Sequence, residues 1–123
     1  MSGSIRDDVA VAAIQHAFAE VFGSREPSEG FDDVLEDAAN LAEAQEQLRT
    51  RAPQGLGAAT HVVQVSFDAP DRARVRFVIV PRGLGVFAFE GLAVRRGDRW
   101  MVSRDTWCQV AARGGVHCPP WNG

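Results

Sequence analysis

An α+β fold is what this sequence predicts, with helices gathered on one face of a four-stranded antiparallel sheet. Three observations carry it. Apolar residues recur at helical spacing as far as Arg51, and the period changes to two near His61. The turn-forming stretches Ala69-Pro70-Asp71-Arg72, Pro81-Arg82-Gly83 and Arg95-Arg96-Gly97-Asp98 then follow at hairpin intervals. Strands gathered after helices argue for layers of helix on antiparallel sheet rather than for βαβ units.

The first helix is read from Asp7 to Phe22, where Val9, Ala10, Ala13, Ile14, Ala17, Phe18, Val21 and Phe22 form one stripe. Ser4 is its expected cap, Asp7 and Asp8 suit the positive end of the helix dipole, and Gly23 stops it. His16 lies off the stripe, about 200° round from Ile14, and is expected in solvent. A polar loop, Ser24 to Gly30, leads to a second helical region from Phe31 to Arg51, either bent or broken near Asn40. One side holds Val34, Leu35, Ala38, Leu41, Ala42, Gln45 and Leu48. Its other side carries Asp32, Asp33, Glu36, Asp37, Glu43 and Glu46, and such a charged face is ordinarily a solvated one.

Ala52 to Ala59 is a connector marked by Pro53, Gly55 and Gly57. The first strand alternates His61, Val63, Val65 and Phe67 with Val62, Gln64 and Ser66, and the second alternates Ala73, Val75, Phe77 and Ile79 with arginines. Leu84 to Arg95 and Arg99 to Cys108 are read as a closing hairpin, so the strands follow one another as a meander. In that hairpin Trp100 shares its parity with Val102 and is expected in the core. Phe87 and Phe89 face away from Val86, Ala88 and Glu90; if both sides of the strand are apolar, one is free to serve as a dimer surface.

At 123 residues, with 46% hydrophobic and 24% charged residues, the chain is expected to form one domain, residues 1–123, around one core. A net charge of −3, with arginines scattered among acids, argues against nucleic-acid binding. No apolar run approaches the ~20 residues that a bilayer span needs, so no membrane span is expected. The N-terminus lacks the pattern of a signal peptide, so as written the chain reads as cytoplasmic. The pairs of glycines at Gly55-Leu56-Gly57 and Gly83-Leu84-Gly85 lack the setting of a phosphate cradle and are read as turns. Cys108 and Cys118 admit a disulfide, two free thiols, or half of a metal site with His117. Zinc wants four ligands with closer cysteine spacing, so no metal and no cofactor is expected.

The closing residues Gly91 to Ser103, G-L-A-V-x-x-x-D-R-W-x-V-S, together with the order of elements, resemble the nuclear transport factor 2-like superfamily. Its members include the SnoaL-like polyketide cyclases, ketosteroid isomerases and scytalone dehydratase. The tail W-x-V-S-R-D-T-W-C followed by G-G-V-H-C-P is similar to actinobacterial members with two C-terminal cysteines, such as the mycobacterial low-molecular-weight antigen domain. The resemblance implies a cone in which helices pack into a curved sheet, often with an apolar pocket at the wide end, and frequent homodimers through the convex face. It also implies a Cys108 to Cys118 disulfide, which belongs to an oxidising compartment and hence to an exported or membrane-anchored parent protein.

Two functions follow as expectations. One is a non-catalytic domain that binds a small apolar ligand or a protein partner, with Phe18, Phe22, Leu35, Phe77, Phe87, Phe89 and Trp107 lining the pocket. The other is a cofactor-independent cyclase, isomerase or dehydratase with Asp33, Asp37 or Asp105 as general base and His61 as its partner. The chain contains no tyrosine, so the hydrogen-bond donor of the isomerase type is missing, and none of these acids aligns with a family catalytic position. The reading therefore leans away from catalysis.

Overall fold

The computed structural model describes residues 5–23, 33–51, 59–81, 83 and 85–120. Helix α1 spans Ile5–Gly23, a 3-10 turn Ala38–Leu41 leads into α2 over Ala42–Arg51, and four strands follow: β1 Ala59–Ala69, β2 Arg72–Val80, β3 Phe87–Arg96 and β4 Arg99–Val102. A third helix, α3, runs over Arg104–Arg113. The expected cap at Ser4, the loop Ser24 to Gly30, residues 31–32 and most of the connector before Ala59 lie outside the described residues, as do Arg82 and Leu84.

The strands form one antiparallel meander in the order β1-β2-β3-β4. Its inner face is set by β2, where Ala73, Val75, Phe77 and Ile79 are buried and the alternate residues Arg72, Arg74 and Arg76 face out. Register carries this face to Phe87, Phe89, Gly91 and Ala93 on β3. Helix α1 packs against β1 and β4 and brings Ile14, Ala17, Phe18, Val21 and Phe22 into the same core. His16, off that stripe, is exposed.

Three expectations about elements are corrected. In β1 the alternation does not hold: register shifts between Val62 and Gln64, so that Val62, not Val63, stands opposite Phe77. The extra residue of this bulge reverses the phase, leaving Val63 67% exposed while Val65 and Phe67 return to the inner side opposite Val75 and Ala73. Second, the helix expected from Phe31 begins only at Ala38. Leu35 instead makes an isolated parallel bridge with Val102, because Asp37 stands at φ 61, a left-handed conformation that breaks a helix.

Third, the last strand ends at Val102 rather than at Cys108, which places Asp105 and Trp107 on α3. Ser103 is extended and its Oγ accepts from the Thr106 amide at 3.2 Å, which caps the helix. Asp105 stands in the first turn and Arg113 in the last, as the helix dipole favours, and Gly114 ends it. Trp107 and Ala111 then fall on one buried face at helical spacing, whereas a strand would have put Arg104 and Thr106 in line with Trp100 and Val102.

The start of α3 is stitched to β3. The Leu92 amide donates to Thr106 Oγ1 at 2.8 Å and the Ser103 amide donates to the Leu92 carbonyl at 3.0 Å. This approach needs Gly91, since a Cβ there would overlap Cγ2 and Oγ1 of Thr106. Gly91→Ala is expected to lower unfolding stability by about 2 kcal/mol, measured by urea denaturation. Adding Thr106→Ser, which keeps the hydroxyl and removes the methyl, recovers part of the loss; no recovery would mean that the close approach is not the cause.

Candidate functional site

Phe77, at the middle of β2, is the centre of an aromatic stack on the inner face of the sheet. The Phe18 ring meets it edge-on at 4.9 Å between centroids, Phe22 stacks at 5.3 Å and Phe89 stacks at 5.5 Å. Of the seven residues expected to line an apolar pocket, Phe18, Phe22, Leu35, Phe77 and Trp107 are buried within this core. Phe89 is half-buried beneath the Arg113 guanidinium, 5.8 Å above its ring, and Phe87 is 36% exposed beside Val86. Apolar surface thus runs from the core outward along the start of β3.

The acids set out as candidate bases lie elsewhere. Asp33 pairs with Arg99 at 2.5 Å across exposed side chains. Asp37 accepts from Arg104 Nε at 3.1 Å through Oδ2, while its Oδ1 accepts from Asn40 at 2.6 Å. Glu36 pairs with Arg96 and accepts from the Arg104 amide at 3.1 Å. These contacts bind the segment 33–37 to the end of β3, to β4 and to α3, along one margin of the sheet. Asp105 is exposed in the first turn of α3, and His61 is exposed on β1, at the opposite edge of the meander. The four residues of the catalytic alternative are therefore not brought into one site.

On the outer face, Gln64, Ser66, Arg74, Arg76 and Glu90 line a shallow polar groove. Arg74 reaches Asp68 at 3.2 Å, and Arg76 lies 3.4 Å from Gln64 Oε1 and 3.7 Å from Glu90. The outer side of β3, held open as an apolar dimer surface, is thus polar at its centre, because the strand beside it alternates arginine with core residues. Cys108 of α3 and Cys118 of the tail are joined as a disulfide, which decides among the three readings of the pair. Among the described residues no group of three or more metal-ligating side chains is gathered, and no helix is long and apolar enough to cross a membrane.

Residues 7–118 match the family described as the low molecular weight antigen MTB12, C-terminal domain. The chain belongs to this family. The α+β meander and the bridged tail agree with what the resemblance of the closing hairpin implied. Among solved structures, a putative NTF2-like transpeptidase from Campylobacter jejuni is similar at 9% identity and a TM-score of 0.41, covering 81% of this chain and 98% of that one. No curated protein matches the sequence.

For this member of the MTB12 family, sequence reasoning did not single out Glu36 and Arg104, which organise the margin. Their signal was charge complementarity: acids at 33, 36 and 37 against arginines at 96, 99 and 104. The pairs are unequal. The Arg104 and Asp37 side chains are 7% and 19% exposed, whereas those of Arg99 and Asp33 are 64% and 52% exposed. Asp37→Asn, which keeps shape and tolerance of the left-handed backbone, is expected to cost about 2 kcal/mol by removing the negative charge that faces the buried Arg104 guanidinium. Asp33→Asn should cost less than about 1 kcal/mol. Urea unfolding at neutral pH compares them, and equal losses would remove the distinction.

Proposed function

We propose that this chain is a non-catalytic assembly domain of an exported or membrane-anchored protein, acting as a homodimer through the outer face of its sheet. The observation that carries the reading is the use made of the chemistry-bearing side chains. Asp33, Glu36 and Asp37 hold elements together through arginines, and the aromatic residues available for a pocket fill one another's space around Phe77. A surface function suits such an interior better than turnover or deep capture of a small apolar molecule; the exposed residues Val86, just before β3, and Phe87, its first residue, are the place where an apolar ligand would still find contact.

The outer face supports pairing of two copies because it is self-complementary. Arg72, Arg74 and Arg76 form a row flanked by Asp68 and Glu90, so a two-fold axis across β2 sets the arginines of one copy against the carboxylates of the other. The disulfide supports an oxidising compartment, since cytosolic thiols are kept reduced.

Sedimentation of protein prepared without reductant should give a dimer at concentrations on the order of 100 μM, and Arg74→Glu with Arg76→Glu should return it to the monomer. A monomer at every concentration would overturn the dimer. Thiol counting under denaturant should find none before reduction and two after it; two free thiols at the outset would remove the exported parent from the reading.

A further inference from the structure

We propose that the Cys108–Cys118 disulfide is a redox-sensitive latch whose hold extends through Arg104 to the Asp37 turn and to the margin of β4. The tail leaves α3 at Gly114, turns at Gly115, which has φ 81, and returns along the helix, with the Val116 amide donating to the Ala111 carbonyl at 3.0 Å. Val116 is buried in the core, and Arg51 of α2 donates to the Gly115 carbonyl at 3.0 Å. Beyond Val116 the chain is fixed by the bond from Cys118 to the middle of α3. The next residue, Pro119, gives its carbonyl to Arg104 Nη2.

Arg104 therefore stands between the tail and the rest of the margin. Its guanidinium accepts burial because a carboxylate and a carbonyl both receive its hydrogens, Asp37 from one side and Pro119 from the other. Asp37 in turn occupies a backbone conformation that costs about 1 kcal/mol unless its surroundings hold it there. The turn it makes positions Leu35 and Glu36: the Glu36 amide donates to the Val102 carbonyl at 3.0 Å and the Val102 amide donates to the Val34 carbonyl at 2.8 Å. That two-bond bridge covers the edge of β4, a strand of four residues.

Reduction by a dithiol transfers two electrons and two protons to the bridge, giving thiols at Cys108 and Cys118 while the dithiol closes to its own disulfide. The segment after Val116 then regains chain freedom, Pro119 leaves Arg104, and water reaches the guanidinium. An ion pair in water contributes little, so the hold on Asp37 weakens and the margin opens locally while β1 to β3 stay paired. The protein thus has its β4 edge covered in an oxidising compartment and uncovered in a reducing one.

Hydrogen exchange of the whole chain, oxidised and in dithiothreitol, tests the latch. Amides of Glu36, Asn40 and Val102 are expected to exchange about tenfold faster after reduction, with those of Val75 and Phe77 unchanged relative to them. Acceleration confined to residues 114–120, or equal across the sheet, overturns the proposal. A second measurement, titration of the disulfide against dithiothreitol, uses the reciprocity of linked equilibria. Arg104→Gln should shift the reduction midpoint about threefold toward easier reduction, while Arg99→Gln, in the exposed pair of the same segment, leaves it in place. An unshifted midpoint in Arg104→Gln also overturns it.

Discussion

A guanidinium withdrawn from water at the start of α3 is the constraint on which one whole side of the molecule depends. Burying a guanidinium is tolerated only with hydrogen-bond acceptors in place, and those of Arg104 include a carboxylate and a carbonyl. Two of these acceptors come from segments far apart in sequence, Asp37 before α2 and Pro119 in the tail, while the Arg104 amide donates to Glu36. Satisfying one side chain therefore ties together three pieces of chain that also meet in the core through Leu35, Trp107 and Val116. The irregular segment 33–37 is held by these bonds together with its bridge to Val102 and the burial of Leu35.

The other side is governed by dispersion and burial. Phe77 is touched by aromatic rings from α1 and from β3, and the row Ala73, Val75, Phe77 and Ile79 gives the sheet an inner face dense enough to seat α1. Small residues matter as much as large ones. Gly91 opens the space through which Thr106 reaches the backbone of Leu92, so the helix after β4 lies against β3 instead of continuing the hairpin. The two halves of the structure meet at Val102, whose side chain is in the apolar core and whose backbone belongs to the ion-paired margin.

The parts of this fold that local periodicity governs were legible in the sequence. The stripe of α1 from Ala10 to Phe22, the alternation of β2, the meander order and the burial of Trp100 all follow from spacing and turn chemistry, whereas Val9, expected on the same stripe, is 64% exposed. What was not legible depended on long-range satisfaction or on a single extra residue. Leu35 sits at helical spacing with Ala38, yet its backbone pairs with Val102 because Asp37 turns toward Arg104. Trp107 reads equally as a strand or a helix residue until Ser103 is recognised as a cap. A bulge at Val63 leaves no mark in composition and reverses every side chain before it. Asp33 and Asp37 were visible as acids, but their arginine partners Arg99 and Arg104 lie 66 and 67 residues away, beyond any local pattern.

That bulge has a consequence for how the protein behaves when crowded. β1 is an edge strand of eleven residues, rich in valine, and an uninterrupted edge of that length would template the addition of further chains. Register shifts at Val62/Gln64 and Phe67/Ala69 divide it, leaving only Gln64 to Phe67 as a regular run between them. A segment so short offers too few consecutive backbone groups for a growing stack of strands. By the general physics of sheet edges, the irregularity that turns Val63 into water disfavours the addition of further strands along β1.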